Sequence, residues 1–261
     1  MSRIFSFLLM ALLLTAGPAG ATEKKTEESG PLMVGVSTFV PWAMQDKDGN
    51  YIGFEVDVAT ALAKDLGRKV EFVPTKWSGI IPALLTGQFD IIISGMSITP
   101  ERAEKVAFSV PYDYSGMDIV ANKERAAGFS SLEDFNKPDV ILAARTGGSA
   151  KAAVEKYLPK AQIRWFDEES QALQEAVSGR AHAFVSSAPL PALEAARRPT
   201  VLFHPIKDTF TKEPIGMALR RGDTELMTQV NAWIEKKEAD GTLQKMREYW
   251  FQNNEWESRL K

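Results

Sequence analysis

A strand-to-helix corner at residues 89–102, FDIIISGMSITPER, places hydroxyls and an arginine at the end of a strand-forming run. Thr99 suits the N-cap and a proline follows it, so Arg102 falls in the first helical turn. An exposed cation is disfavoured there by roughly 0.3–1 kcal/mol, unless an anion binds beside it. Free N–H groups, hydroxyls and a guanidinium all favour a carboxylate. The alternative, in which Arg102 pairs with Glu101 or Glu104 on a solvated face, stays open from this pattern.

A second corner, Thr146-Gly147-Gly148-Ser149, follows a strand and opens another helix. Glycines let the backbone approach a ligand, and a helix N-terminus offers N–H donors to an anion. The corner lacks the Gly-Lys-Ser/Thr ending of a phosphate loop, which excludes that kind of nucleotide site. A tight structural turn is the alternative.

Aromatic residues at strand ends are candidates for the apolar part of a pocket. Phe39 and Trp42 flank Pro41 after the first strand, and Trp77 precedes a helix. Most such residues fill cores. Because these lie at strand ends rather than in a periodic stripe, we favour ligand contact.

Metal and nucleophile chemistry find little support in the sequence. The histidines are His182 and His204, neither has a second ligand at metal spacing, and the chain has no cysteine. No nucleophile motif such as G-x-S-x-G is present. We therefore predict a chain without metal, cofactor or catalytic residues.

Composition is that of an ordinary globular protein, with 44% hydrophobic and 25% charged residues among 261. The net charge of −3 gives no reason to expect nucleic acid or anionic membrane as a partner.

The N-terminus predicts export. Arg3 precedes an apolar run at residues 4–14 that is short for a bilayer, and Ala19-Gly20-Ala21 has the small-x-small pattern of a cleavage site. We predict a cleaved signal peptide at 1–21 and a disordered leader at 22–30, with a retained anchor as the alternative. No cysteine follows the apolar run, so we do not expect a lipoprotein; the expected location is the periplasm.

Short Val- and Ile-rich runs alternate with helical patterns, which predicts parallel sheets with crossover helices. Residues 83–95, ALLTGQFDIIISG, and residues 175–187, EAVSGRAHAFVSS, share one order of helix, glycine, strand and polar turn. This internal match suggests two lobes. Ligands bind beyond the carboxyl ends of strands in open α/β sheets, so two facing ends would form a cleft.

Several blocks resemble a known family. The segments GFEVDVATALAKDLG (53–67), WSGIIPALLTGQFDIIISGMSITPERAEKVAFSVPY (77–112), TGGSA (146–150) and EYWF (248–251) are similar to family 3 periplasmic solute-binding proteins of amino-acid ABC transporters. The resemblance implies an α/β, type II two-lobed fold in which each lobe is a mostly parallel sheet flanked by helices. It implies a discontinuous lobe 1 (31–116 plus 213–261), a lobe 2 (117–212), and two crossing hinge strands near 117–121 and 211–217.

The resemblance also implies roles for individual residues. Arg102 falls on the arginine that binds the α-carboxylate of the ligand. Further carboxylate-binding positions of the family fall on Ser97, Gly148 and Ser149. The aromatic residues that stack on the ligand fall on Phe39 and Trp77, and the backbone contact falls on Gly95.

One position departs from the family pattern. Ser187 stands where amino-acid binders usually carry an aspartate that pairs with the ligand's ammonium, and a serine cannot neutralise that charge. If Arg145 points inward, the cleft holds two arginines and no obvious carboxylate. We therefore expect an anionic ligand: an acidic amino acid, or an organic acid without an ammonium. Asp113, on the hinge side, could restore the missing charge.

The implied partners are a small carboxylate ligand and a membrane ABC permease, with the protein a monomer and not an enzyme. The rival interpretation is an enzyme similar to cyclohexadienyl dehydratases, which act on prephenate or arogenate. The acid that those enzymes use falls just after the second-lobe strand, where this chain has Pro189, Leu190 and Pro191. A sensory domain is less expected, because no second hydrophobic segment or signalling domain is evident.

Overall fold

The computed structural model describes residues 30–260. The predicted signal peptide and residues 22–29 of the predicted leader lie outside the described residues. Within 30–260, no helix combines the length and apolar character needed to cross a membrane.

Short strands alternate with helices through the described chain. In chain order the strands are β1 (Leu32–Val36), β2 (Met44–Gln45), β3 (Tyr51–Ile52), β4 (Val70–Pro74), β5 (Ile91–Ile92), β6 (Ala107–Phe108), β7 (Asp113–Ser115), β8 (Met117–Asn122), β9 (Ile141–Arg145), β10 (Gln162–Phe166), β11 (Ala183–Ser187), β12 (Leu202–Phe203), β13 (Glu213–Ile215) and β14 (Ala218–Leu219). The α-helices are α1 (Phe54–Asp65), α2 (Ile80–Leu85), α3 (Pro100–Ala103), α4 (Leu132–Phe135), α5 (Ala150–Tyr157), α6 (Glu169–Val177), α7 (Leu190–Arg197), α8 (Thr224–Ala239) and α9 (Thr242–Arg247).

Two five-stranded sheets share one plan. The first has the order β4-β1-β5-β14-β6 and the second the order β10-β9-β11-β8-β12. In each sheet the first three strands pair in parallel, and the fourth runs antiparallel to both its neighbours. Four strands of each sheet therefore point one way. This arrangement confirms the predicted α/β fold with mostly parallel sheets.

The two similar segments, 83–95 and 175–187, contribute equivalent strands to the two sheets. Their strands are β5 and β11, and each occupies the centre of its sheet. All strands of the first sheet lie within predicted lobe 1, and all strands of the second lie within predicted lobe 2. The lobe boundaries themselves stay a prediction.

A two-stranded ribbon of β7 and β13 runs between the sheets, with Tyr114 opposite Pro214. The expected hinge strand at 117–121 is therefore misplaced, because these residues begin β8, a strand of the second sheet. Every residue of β8 is buried, and its apolar side chains are removed from water inside the second lobe rather than exposed on a connecting strand. The other expected hinge segment, 211–217, contains β13.

Helix α1 shows how the first sheet is covered. Phe54, Val58 and Leu62 recur at intervals of four residues and are fully buried in the largest apolar cluster. The helix ends at Asp65 with Leu66 as its C-cap, and Gly67 follows with φ 69°, a left-handed conformation that favours glycine. The buried stripe packs α1 into the same core as Leu32 and Val34 of β1.

Candidate functional site

A cavity of about 30 Å³ lies where the carboxyl ends of the central strands of the two sheets face each other. It is lined by all nine residues that the sequence proposed for a ligand site: Phe39, Trp77, Gly95, Ser97, Arg102, Arg145, Gly148, Ser149 and Ser187. The other lining residues are Met117, Ala150, Glu169, Val185 and Ser186. The structure thus brings the predicted residues together, while their roles stay predictions.

Arg102 lies at the start of α3, after the N-cap Thr99, whose hydroxyl accepts a hydrogen bond from the Arg102 N–H at 3.3 Å. Its side chain turns into the cleft, and the residue is only 8% exposed. The solvated-face alternative is therefore wrong; Glu101 pairs with Lys105 instead. Burial, the largest influence, lowers the pKa of Arg102. Within residues 30–260, no carboxylate forms an ion pair with its guanidinium.

The guanidinium of Arg102 instead donates to two backbone carbonyls. Nη1 bonds to the oxygen of Ser97 at 2.9 Å, and Nη2 bonds to the oxygen of Gly147 at 3.2 Å. The Gly147 carbonyl also accepts from Nε1 of Trp77 at 3.0 Å. The two bonds to Gly147 join the lobes across the cleft. Gly147 has a φ of 74°, a left-handed conformation that favours glycine.

The loop at Gly148 and Ser149 presents backbone donors to the same cavity. Among the described residues, their N–H groups donate to no protein acceptor. Free N–H groups that precede helix α5 suit an anion, as the sequence predicted.

The Ser97 hydroxyl and the Gly95 N–H donate to carboxyl groups outside the cavity lining. The Ser97 hydroxyl donates to Oε2 of Glu213 at 2.6 Å. The Gly95 N–H donates to Oε1 of Glu55 at 2.8 Å. A hydroxyl has a single proton, so the Ser97 hydroxyl oxygen faces the cavity as an acceptor, and the predicted role of Ser97 in carboxylate binding stays a prediction.

Glu55 is a buried acid behind the cavity wall, and no motif in the sequence indicated it. Its carboxyl contacts the Tyr112 hydroxyl at 2.7 and 2.8 Å and has no exposed surface. Burial raises the pKa of Glu55 to about 8, although the bonds from Tyr112 and Gly95 act in the opposite direction. Glu55 therefore anchors the backbone of Gly95 as a mostly neutral acid at pH 7.

Arg145 points inward and lies against both predicted stacking aromatics. Its guanidinium carbon is 4.7 Å from the Trp77 ring centre and 5.5 Å from that of Phe39. The Arg102 guanidinium lies 5.3 Å from the same Trp77 ring. Two cations therefore share one aromatic wall, which offers cation–π attraction to both.

Glu169 is a cavity residue that the sequence did not single out, and its position corrects the expected charge of the cleft. The cleft was expected to hold no obvious carboxylate, yet Glu169 Oε2 lies 2.8 Å from Arg145 Nε, and its Oε1 accepts from the Ser186 hydroxyl. Glu169 is the first residue of α6 and follows β10, so it stands at the carboxyl edge of the sheet. That position was the available signal. This position alone does not indicate a ligand site, because acidic residues at a helix start are common on solvated surfaces.

Asp113 does not supply charge to the cleft. It lies on the hinge ribbon, 3.3 Å from Arg247 Nε, and it does not line the cavity. Burial raises the pKa of Asp113 to about 6, with Arg247 acting in the opposite direction. The suggestion that Asp113 restores the missing charge is wrong, because its neighbour on α9 already uses that carboxylate.

Trp42 is a core residue rather than a ligand contact. It is 2% exposed and packs against the rings of Phe54 and Phe251 at centroid distances of 5.7 and 4.7 Å. Its neighbour Phe39 lies nearly parallel to it and reaches the cavity.

Within residues 30–260 there is also no group of acidic or histidine side chains placed to hold a metal ion.

Two sheets that face one another across a cleft, joined by a narrow ribbon, define a two-lobed binding protein of type II. The chain belongs to the bacterial extracellular solute-binding proteins, family 3, whose model matches residues 32–253.

Three similar proteins illustrate the range of the family. The crystal structure of the ancestral amino acid-binding protein AncCDT-1, a precursor of cyclohexadienyl dehydratase, shares 48% identity over 85% of this chain and 95% of that one, with a TM-score of 0.77. A putative ABC-transporter binding component from Wolinella succinogenes, complexed with lysine, shares 36% identity over 88% and 99%, with a TM-score of 0.82. The cyclohexadienyl dehydratase of Pseudomonas aeruginosa is 29% identical over 97% of both chains.

Proposed function

We propose that this protein is the substrate-binding component of an ABC importer. It captures an amino acid or related small carboxylate in the cleft, with a preference for acidic or anionic ligands, and it works as a monomer in the periplasm after signal-peptide cleavage. Family membership and the amino-acid-binding relatives support this function.

The buried guanidinium of Arg102 is the observation that carries the proposal. A buried charge is costly unless it is paired, and the hydrogen bonds of Arg102 within the described residues go only to neutral carbonyls, while the carboxylate of Glu213 acts on it without an ion-pair contact. A ligand carboxylate would complete the ion pair. The free N–H groups of Gly148 and Ser149 would donate to the same anion.

The preference for an anionic ligand rests on the balance of charge around the cavity. Arg102 and Arg145 are two cations, and Glu169 is the one acidic residue among the lining side chains. Ser187 adds no charge. The net positive wall favours a ligand with a net negative charge. The lysine-bound relative is the reason to test cationic ligands too.

Capture proceeds by hinge closure rather than by chemistry. The ribbon of β7 and β13 allows the lobes to separate, and the bonds to Gly147 join them when the cleft is shut. A ligand that contacts both lobes stabilises the closed form, which is the form that a membrane permease would receive.

A thermal-shift screen tests the function. The chain 22–261 is stripped by unfolding and refolding, then mixed with acidic, neutral and basic amino acids and with dicarboxylates. A ligand at about 100 times its dissociation constant adds about 2.7 kcal/mol of stability. We expect acidic ligands to raise the midpoint most, and Arg102→Ala to abolish the response. The exposed Arg125→Ala serves as the matched control. A full response in Arg102→Ala would contradict the carboxylate site, and a best response to lysine would contradict the anionic preference.

The second candidate is a dehydratase, because the Pseudomonas aeruginosa enzyme aligns over nearly the whole chain. Pro189, Leu190 and Pro191 stand where such an enzyme was expected to carry its acid, which speaks against turnover. Incubation of the protein with prephenate, followed by analysis of products, separates binding from catalysis.

A further inference from the structure

We propose that Glu169 accepts the ammonium group of the ligand and so makes the protein a receptor for acidic amino acids rather than for amine-free acids. This inference rests on the proposed function, because it assumes that Arg102 binds a carboxylate in the same cavity. It assigns a specificity-determining role to a residue that the sequence did not single out.

Three acceptors line the cavity, and an ammonium has three protons to donate. Glu169 supplies carboxylate oxygens, and Ser97 supplies a hydroxyl oxygen whose proton goes to Glu213. Gly95 supplies a carbonyl that accepts no hydrogen bond among the described residues. A simple dicarboxylate, with neither amine nor hydroxyl, has no protons to offer these acceptors at neutral pH.

The ion pair of Glu169 with Arg145 leaves hydrogen-bonding capacity on both side chains. Nε and Oε2 are 2.8 Å apart, yet the buried Nε has no aligned hydrogen bond. The terminal nitrogens of Arg145 donate to no described acceptor. A carboxylate has about four lone-pair sites, and the contacts with Arg145 and Ser186 occupy two of them. Glu169 therefore keeps room for an ammonium, and Arg145 keeps room for a second carboxylate.

The charge inventory then matches one chemical class. Two guanidinium groups and one carboxylate line the cavity, and this lining set is complementary to two carboxylates and one ammonium. The further carboxylate of Glu213 lies behind the wall, where its oxygens accept from the Ser97 and Thr211 hydroxyls. A ligand with two carboxylates and one ammonium is an acidic amino acid. A dicarboxylate of the same length would instead leave Glu169 as an anion beside a second anion, which costs binding free energy.

Isothermal titration with matched ligands tests the role of Glu169. Each pair differs only in the amine: L-glutamate against glutarate, and L-aspartate against succinate. We expect the wild-type protein to prefer the amino acid of at least one pair by tenfold or more. Glu169→Gln should weaken binding of that amino acid by about 100-fold and leave the diacid unchanged or tighter. The adjacent exposed Glu168→Gln should match the wild type.

Equal affinity for both members of each pair, or an amine preference that survives in Glu169→Gln, would overturn the inference. Circular dichroism of each variant verifies folding, and Glu169→Asp, which keeps the charge, should retain part of the preference. Failure of the proposed function looks different, because Arg102→Ala would then leave binding unchanged. Binding of basic amino acids alone would also overturn the inference, because the protein would then not be a receptor for acidic amino acids.

Discussion

At the residue scale, the carboxyl of Glu55 is a buried group whose ionisation affects the stability of this fold. It bonds to the backbone of Gly95, which lines the cavity, and burial raises its pKa to about 8. In an unfolded chain, a glutamate ionises near 4.3. Between these values the folded state binds more protons, so the free energy of unfolding falls as pH rises from about 4.5 to 8.

Glu55→Gln should remove this loss of stability with rising pH. The amide keeps an oxygen for the Gly95 N–H and offers an N–H to the Tyr112 hydroxyl, without a charge to desolvate. We expect a gain of about 2 kcal/mol at pH 8, or roughly 6 °C in midpoint, and little gain at pH 5. Midpoints of both proteins between pH 5 and 9 give the measurement.

The exposed Glu71→Gln is the control for Glu55, since its carboxyl is solvated in both states. Parallel curves of midpoint against pH for the wild type and Glu55→Gln would contradict a raised pKa at this site.

At the element scale, the hinge ribbon is packed too tightly for a side chain at its exit. A Cβ on Gly116, between β7 and β8, would lie 2.0 Å from the Thr211 carbonyl oxygen. The Gly116 carbonyl also accepts from the Ala188 N–H at 2.9 Å, and the Met117 N–H donates to the Thr211 hydroxyl at 2.7 Å. The crossing strands are thus fixed to each other and to the second sheet.

Gly116→Ala should push these strands apart. We expect a loss of roughly 1–3 kcal/mol in the free energy of unfolding, as for other overpacked sites, together with weaker ligand binding because closure is misaligned. Urea denaturation and calorimetric titration measure the two effects. Gly222→Ala is the control, since nothing lies within 4 Å of its Cβ position. Equal stability of the two variants would contradict a tightly packed hinge.

At the scale of the whole molecule, closure depends on few polar contacts between the lobes. The Trp77 indole donates to Gly147 across the cleft at 3.0 Å, beside the bond from Arg102. Trp77 also contributes its ring to the cavity wall. The predicted stacking role of Trp77 and its bond across the cleft can therefore be tested separately.

Trp77→Phe keeps an aromatic ring but removes the donor. A net hydrogen bond contributes about 1 kcal/mol, so ligand affinity should fall by roughly fivefold as the open form gains population. Small-angle X-ray scattering at a subsaturating ligand concentration should report a larger mean radius of gyration than for the wild type. Trp165→Phe, at a 37% exposed position, is the control. Unchanged affinity in Trp77→Phe would show that the bond does not contribute to closure.

The sequence by itself determined the fold class and the place of the site. Strand and helix patterns are local, and parallel strands bring their carboxyl ends to one edge, so the corner at Arg102 and the corner at Arg145 and Gly147 each had to lie at the edge of its own sheet. The resemblance to a two-lobed family placed those two edges opposite each other. All nine candidates for a ligand site line one cavity for this reason.

Only the tertiary structure decided the charge and hydrogen-bond state of that cavity. Whether Glu169 faces solvent or Arg145, whether Asp113 reaches the cleft, and whether the Ser97 proton goes to Glu213 all depend on side-chain directions across separate elements. The raised pKa of Glu55 comes from burial by residues distant in the chain. Local patterns carry the periodicity of an element, whereas desolvation and ion pairing arise when elements pack against each other.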